Sequence, residues 1–223
     1  MQHAWPVRMA VVLSVGFVFA TEAAALGAEP ALTPIFDGKT LDGWEGNDKL
    51  WSVVDGAIVG HNTAEVPVST YLVTKKKYGD FRLTAKVKLA EGSEMHSGIA
   101  FWGRLAPEKG DPFTYMGHLV MFPSDYGMYD LHRRGGLQVD GKPAKKVGKQ
   151  HDWNDLEILA TGKRVRVAIN GSAVVDFTDP KPELIAEGPI ALQLHSLKGP
   201  QSVLFKDLML ETSPKDDRLI TVK

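Results

Sequence analysis

Phe81-Arg82-Leu83-Thr84-Ala85-Lys86-Val87-Lys88-Leu89 alternates apolar and polar residues without a miss. Successive side chains of an extended chain point to opposite faces, so Phe81, Leu83, Ala85, Val87 and Leu89 share one side and the polar residues the other. That is the pattern of an antiparallel strand with one face in a core and the other towards water. No stretch shows a sustained helical period, so this strand sets the grammar for the chain.

Reading outward, the same grammar recurs. Upstream, Pro34 to Trp44 reads as a short strand and a tight loop pinned by Phe36, Leu41 and Trp44. Trp51–Val54 and Ala57–Gly60 flank Asp55-Gly56, a hairpin signal because both turn positions favour positive φ. A further strand is expected at Thr70 to Thr74, with Lys75-Lys76-Lys77 as a solvated turn. Downstream, His96–Gly103 is apolar enough to cross a core, Tyr115–Phe122 follows as another strand, and Gly136–Val139 followed by Asp140-Gly141 suggests another hairpin. Trp153–Ala160, Arg164–Ile169 and Val174–Phe177 form a three-stranded meander, turned at Thr161-Gly162-Lys163 and at Asn170-Gly171. Asn170-Gly171-Ser172 also matches the N-glycosylation pattern, but a hairpin turn explains it fully. Ile190–His195 and Ser202–Glu211 close the series, and the polar tail from Pro214 is expected to fray. Strands at turn spacings of about 8–12 residues predict an all-β sandwich of two antiparallel sheets. One outer face is left free to hold a polar ligand.

Composition narrows the class. Arg8, the apolar run Met9 to Ala20 and the small residues Ala23 to Ala28 read as a secretory signal peptide, cleaved after Ala25 or Ala28. The run is short for a membrane span. An exported, periplasmic or extracellular domain over residues 29–213 is therefore expected, with a polar tail over 214–223. The chain has no cysteine, so its stability must come from buried apolar surface. A formal net charge of −1 offers no basic excess for nucleic acid.

Polar chemistry concentrates in Gly127-Met128-Tyr129-Asp130-Leu131-His132-Arg133-Arg134-Gly135-Gly136. In extended conformation Tyr129, Leu131 and Arg133 share one face; Asp130, His132 and Arg134 share the other. The second row joins an acid, a titratable base and a fixed cation, able to orient a general base and stabilise an anion. Gln193 and His195 share a face of their own strand. His118, His132 and His195 lie on strands expected to adjoin one polar surface, and His118, His132 and Asp130 make a chemically reasonable set for a divalent metal ion. No fixed ligand spacing such as His-Glu-x-x-His accompanies them. Trp44, Trp51 and Trp153 sit in structural motifs; Trp102 is the better sugar-stacking candidate, and Tyr129 the second.

Several motifs resemble one family. Ile35-Phe36-Asp37-Gly38-Lys39-Thr40-Leu41-Asp42-Gly43-Trp44, Trp51-Ser52-Val53-Val54-Asp55-Gly56, Tyr78-Gly79-Asp80-Phe81-Arg82-Leu83, Ser97-Gly98-Ile99, Trp153-Asn154-Asp155-Leu156-Glu157-Ile158, Ile169-Asn170-Gly171 and Gly188 to His195 run in the order of the 3-keto-disaccharide hydrolase domain. The resemblance covers nearly the whole chain after the leader, and it implies a concanavalin A-like jelly-roll sandwich. Tyr129, Asp130, His132 and Arg134 match the "LYDEHGRG" segment of one branch. Leu131, His96 and Trp102 depart from it, standing where that branch has glutamate, asparagine and arginine.

The resemblance implies a 3-keto-glycoside (3-keto-disaccharide) as substrate. The ketone acidifies the C2 proton, so a base can open the glycosidic bond by elimination, and water can then add to the enone. His132 or His195 would be the base, with Arg134 or a bound divalent cation stabilising the enolate and Asp130 orienting the set. Tyr129, Trp102, Gln193, His118, His96 and Arg104 would contact the sugar. A glycosidase with two paired carboxylates is a weaker reading, since Leu131 leaves Asp130 without a neighbouring acid. No Gly-x-Ser-x-Gly elbow is present. A lectin-like binding module on the same fold remains the alternative, and a surface interaction domain with no sugar ligand a third.

Overall fold

The computed structural model describes residues 1–2, 30–93, 95–122, 126–181 and 187–223. Almost all of the expected leader lies outside the described residues. No helix among the described residues is long and apolar enough to cross a membrane.

In chain order the strands are β1 (Thr33–Pro34), β2 (Trp44–Glu45), β3 (Trp51–Val54), β4 (Ala57–Asn62), β5 (Thr70–Tyr78), β6 (Phe81–Leu89), β7 (Ser97–Leu105), β8 (Tyr115–Phe122), β9 (Tyr126–Asp130) and β10 (Gly136–Asp140). A short helix, α1 (Lys142–Val147), precedes β11 (Asn154–Thr161), β12 (Arg164–Ile169), β13 (Ser172–Thr178), β14 (Gly188–Leu194) and β15 (Gln201–Thr212). They form two antiparallel sheets. One runs β13-β12-β11-β6-β15-β4-β3, with β1 beside β15; the other runs β10-β9-β8-β7-β14-β5-β2. This is the expected jelly-roll sandwich.

The alternation in β6 becomes the wall of the core. Phe81, Leu83, Ala85, Val87 and Leu89 are all buried, and they pack with Ile99, Phe101, Val120, Ile190, Leu192 and Leu194 of the facing sheet. A smaller apolar cluster lies on the other side of that facing sheet: Tyr71, Val73, Ala100, Tyr115, Leu119, Met121 and Ala191. The sheet therefore has two apolar faces. One fills the sandwich and the other floors a surface site.

Three expectations change. Lys75-Lys76-Lys77 is no turn: β5 continues to Tyr78, and a register shift opposite β14 leaves the three lysines exposed along a strand. Asp140-Gly141 does not close a hairpin, because Gly141 instead caps α1, where Pro143 presets φ for the first turn and Ala144 is buried. The tail beyond Pro214 does not fray. Asp216 and the Arg218 carbonyl accept from Arg82, while Glu157 accepts from the Ile220 and Thr221 amides and the Thr221 hydroxyl. The tail crosses the outer face of the first sheet because Arg82 and Glu157, on its polar side, need partners. The Asn170 side chain donates to Val147 O and Asn154 Oδ1, so the hairpin reading of that sequon accounts for its amide.

Candidate active site

A cavity of about 710 Å³ opens on the outer face of the second sheet. Tyr71 comes from β5, Tyr115, Leu119 and Met121 from β8, Tyr129 and Asp130 from β9, and Gln193 from β14. Loops add His96, Glu108, Lys109, Leu131, Arg133, His195 and Ser196. The volume lies in the range of small-molecule sites.

The imidazoles of His96 and His195 meet edge to face at 4.4 Å. His195 Nδ1 lies 2.6 Å from the Ser196 carbonyl. A carbonyl only accepts, so Nδ1 carries the proton and Nε2 keeps a bare lone pair. Burial holds the His195 pKa below its ordinary value, against the Ser196 hydrogen bond. Burial also lowers His96, to about 4, with repulsion from His195 adding to it. Both rings are neutral at pH 7, and His195 presents a base. Gln193 Nε2 donates to the Tyr71 hydroxyl at 3.1 Å, while Gln193 Oε1 is buried without a partner. At the mouth, Arg133 donates to Glu108 across the two loops. Arg133 is in the left-handed region, φ 64°.

The second polar row lies elsewhere. Asp130 closes the turn after β9: Oδ1 accepts from the His132 amide at 3.1 Å and Oδ2 from the Arg134 amide at 2.7 Å. The Arg134 guanidinium folds back on both oxygens and also pairs with both oxygens of Asp179, just beyond β13. It thereby ties one sheet to the other. Burial pushes the Asp130 carboxyl up, but the hydrogen bonds from Arg134 and the two amides outweigh it and lower its pKa. His118 is fully buried beside Phe101, Trp102, His132 and Phe177, between the sheets. Its Nε2 lies 2.9 Å from Asp179 Oδ2, off the axis of a good hydrogen bond. Burial lowers its pKa to about 4 despite that carboxylate.

The sequence-derived set therefore divides. Tyr129, Gln193, His195 and His96 line the cavity, with Asp130 in its wall. His118, His132 and Arg134 stand behind the sheet: the alternation of β8 aims His118 into the sandwich, and the turn that Asp130 closes after β9 carries His132 and Arg134 to the same side. His132 and His195 do not share a site. Arg134 is held by two carboxylates and does not border the cavity, so it is no enolate partner there. Trp102 is a correction as well: a bulge, with Trp102 at φ 48°, turns its ring into the core, where it is 1% exposed and donates from Nε1 to the Gly79 carbonyl. It cannot stack on a sugar; Tyr129, 36% exposed at the rim, can. Arg104 is exposed and contacts Met116 Sδ, outside the cavity lining. Sequence reasoning missed Tyr71 and Tyr115, which lie on strands it expected without assigning them a face, and Asp179, which carries no periodic signal.

His118, Asp130 and His132 offer ligand atoms within 4.8 Å of one another, the spacing of a metal site. The donor set fits one in part: His118 Nε2 and His132 Nε2 are buried without a hydrogen-bond partner, as open ligands would be, but the carboxylate is engaged. The two Asp130 oxygens already accept from two amides and the Arg134 guanidinium, filling the lone pairs a cation would need.

The two buried imidazoles make the fold acid-sensitive. His96 and His118 titrate near 4 when folded and near 6.5 when unfolded, so below 6.5 the unfolded chain binds more protons. Their contribution is complete above pH 6.5 and lost as pH falls towards 4, roughly 3 kcal/mol for each. Urea midpoints should fall across that window, and His118→Asn should flatten the fall.

The fold defines the chain as a concanavalin A-like sandwich with a cavity on one sheet face. The model of the 3-keto-alpha-glucoside-1,2-lyase-like domain matches residues 31–211, and the chain belongs to that family. Among solved structures it is similar to a glycosyl hydrolase homologue from Parabacteroides distasonis at 22% identity and TM-score 0.61, covering 82% of this chain and 94% of that one. It is also similar to the carbohydrate-binding module CBM66 from Bacillus subtilis, at 15% identity and TM-score 0.54, covering 76% and 96%. No curated protein matches the chain.

Proposed function

We propose that the protein is an exported enzyme that cleaves 3-keto-glycosides by elimination followed by hydration, with His195 as the base. The observation that carries this reading is the bare, neutral Nε2 of His195 in a cavity whose two acids are both ion-paired, Glu108 with Arg133 and Asp130 with Arg134. Two free carboxylates, which an ordinary glycosidase needs, are missing from the described lining. A neutral base without a free acid beside it suits a substrate that supplies its own activation. Family membership favours the same substrate class.

His195 Nε2 takes the C2 proton, and the C2–H electron pair forms the C2=C3 bond of an enolate. The enolate collapses: C3=O re-forms, C1=C2 forms and the C1–O bond breaks. The proton on His195 passes to the departing oxygen. Water then adds across C1=C2, hydroxyl to C1 and proton to C2, giving net hydrolysis. Without the hydration step the protein is a lyase.

The test is release of nitrophenol from a 4-nitrophenyl 3-keto-glucoside by the purified protein, against the unoxidised glucoside. Release from the ketone alone supports the reading. Binding without release would instead favour a carbohydrate-binding module, for which the exposed ring of Tyr129 is the specific support. Because Asp130 has no free lone pairs for a cation, a chelator is expected to leave turnover within about twofold. A loss restored by one divalent metal would show that Arg134 yields to it.

A further inference from the structure

The elimination needs a donor at the C3 oxygen, where the negative charge of the enolate collects. Arg134 is behind the sheet, and Arg133 at the mouth is paired with Glu108. The floor offers two hydroxyls. Tyr115 donates to the Pro189 carbonyl at 2.7 Å, so its proton is taken. Tyr71 differs: its oxygen accepts from Gln193 Nε2, and its own proton has no acceptor among the described residues. The β14–β5 register sets Gln193 directly opposite Tyr71. His195 follows two residues after Gln193, beside the same cavity.

Resting on the elimination reading, we propose that Tyr71 is a catalytic residue: its hydroxyl donates to the C3 oxygen of the substrate while His195 removes the C2 proton. Gln193 is its positioning residue. By donating to the Tyr71 oxygen it fixes the hydroxyl and directs the remaining proton into the cavity. Burial raises the phenol pKa, so the group remains a hydrogen-bond donor through the neutral range. A neutral donor in a buried floor stabilises charge that appears only in the transition state, so it acts on kcat more than on KM. No proton need leave Tyr71; the enolate oxygen gains a hydrogen bond and gives it up when C3=O re-forms.

The experiment compares wild type with Tyr71→Phe, which removes one oxygen, and with Gln193→Leu, which leaves the hydroxyl and removes its anchor. One substrate is the nitrophenyl 3-keto-glucoside. The other is 1,5-anhydro-3-keto-glucitol, which has no exocyclic leaving group at C1 and reports enolate formation as C2 deuterium exchange in D2O. Tyr71→Phe should slow release and exchange together by about 10²–10³-fold with KM nearly unchanged. Gln193→Leu should slow both by about tenfold. Wild-type rates in Tyr71→Phe would overturn the role of Tyr71 and leave the elimination reading standing. If wild type neither exchanges nor releases, the elimination reading fails, and affinity then decides on Tyr71. At least tenfold weaker binding of the anhydro ketone by Tyr71→Phe, with its 3-hydroxy parent unaffected, would keep the contact to C3 oxygen; equal binding would remove it.

Discussion

His195→Gln is expected to lower turnover of a 3-keto-glycoside by about 10²–10⁴-fold, the range for loss of a positioned general base. Glutamine keeps a polar group of similar reach but has no basic nitrogen, so binding should survive where chemistry does not. The Ser196 carbonyl fixes which nitrogen carries the proton, leaving Nε2 as the base. Because burial lowers the His195 pKa, the base is ready throughout the neutral range. kcat/KM should then be flat near pH 7 and fall with acid, through a midpoint below the ordinary 6.5, as the lone pair is protonated. A bell centred above pH 7, or a variant with wild-type kcat, would assign proton abstraction elsewhere. His132→Gln makes the contrast, since its ring lies with His118 behind the sheet. That variant should lower the melting temperature more than kcat.

Arg82→Met should cost about 3–5 kcal/mol of stability, the penalty for stripping one partner from a buried ion pair. Arg82 has a side-chain exposure of 1% and Glu157 of 0%, joined at 2.7 Å. Arg82 also donates to Glu211 at 2.9 Å, to Asp216 at 2.9 Å and to the Arg218 carbonyl at 2.5 Å. Methionine fills much of the volume but supplies no donor. Glu157 would keep only the bonds from Ile220 and Thr221, and the tail would lose its hold on the sheet. A melting temperature lower by roughly 10 °C follows for a domain of this size. Protease cleavage beyond Pro214 should quicken in parallel. If the tail stays protected and the melting temperature hardly moves, water has replaced the guanidinium and the cluster is not sealed. Arg82→Met combined with Glu157→Leu should recover part of the loss, because no charge is then left buried alone.

These two residues also show how far a sequence can be read. The period-two pattern of Phe81–Leu89 specifies which side chains enter the core, because burying apolar area is a property of the residues and of their spacing. The same pattern assigns Arg82 to solvent. It is buried because the C-terminal tail, more than a hundred residues later, lies over it, and nothing in a local window carries that distance. His195 and Gln193 were legible as a shared face, and Tyr129 as a rim aromatic, since each follows from alternation within one strand.

What alternation left open was which of two faces belongs to which cavity. Asp130, His132 and Arg134 do share a side, but through the turn that Asp130 closes rather than through an extended strand, and that side turns inward to Asp179 and His118. A sheet with apolar residues on both faces gives no local sign of which one water sees. Trp102 was misplaced for a related reason: a bulge shifts the alternation by one residue, and the bulge arises from pairing with β8 rather than from the residues around Trp102. The sequence by itself determined the strands, the two-layer architecture and the family. Tertiary structure alone decided that Tyr71, Gln193, His96 and His195 converge while His118 and His132 do not, because convergence depends on strand order, register and bulges, which are set by contacts between distant segments.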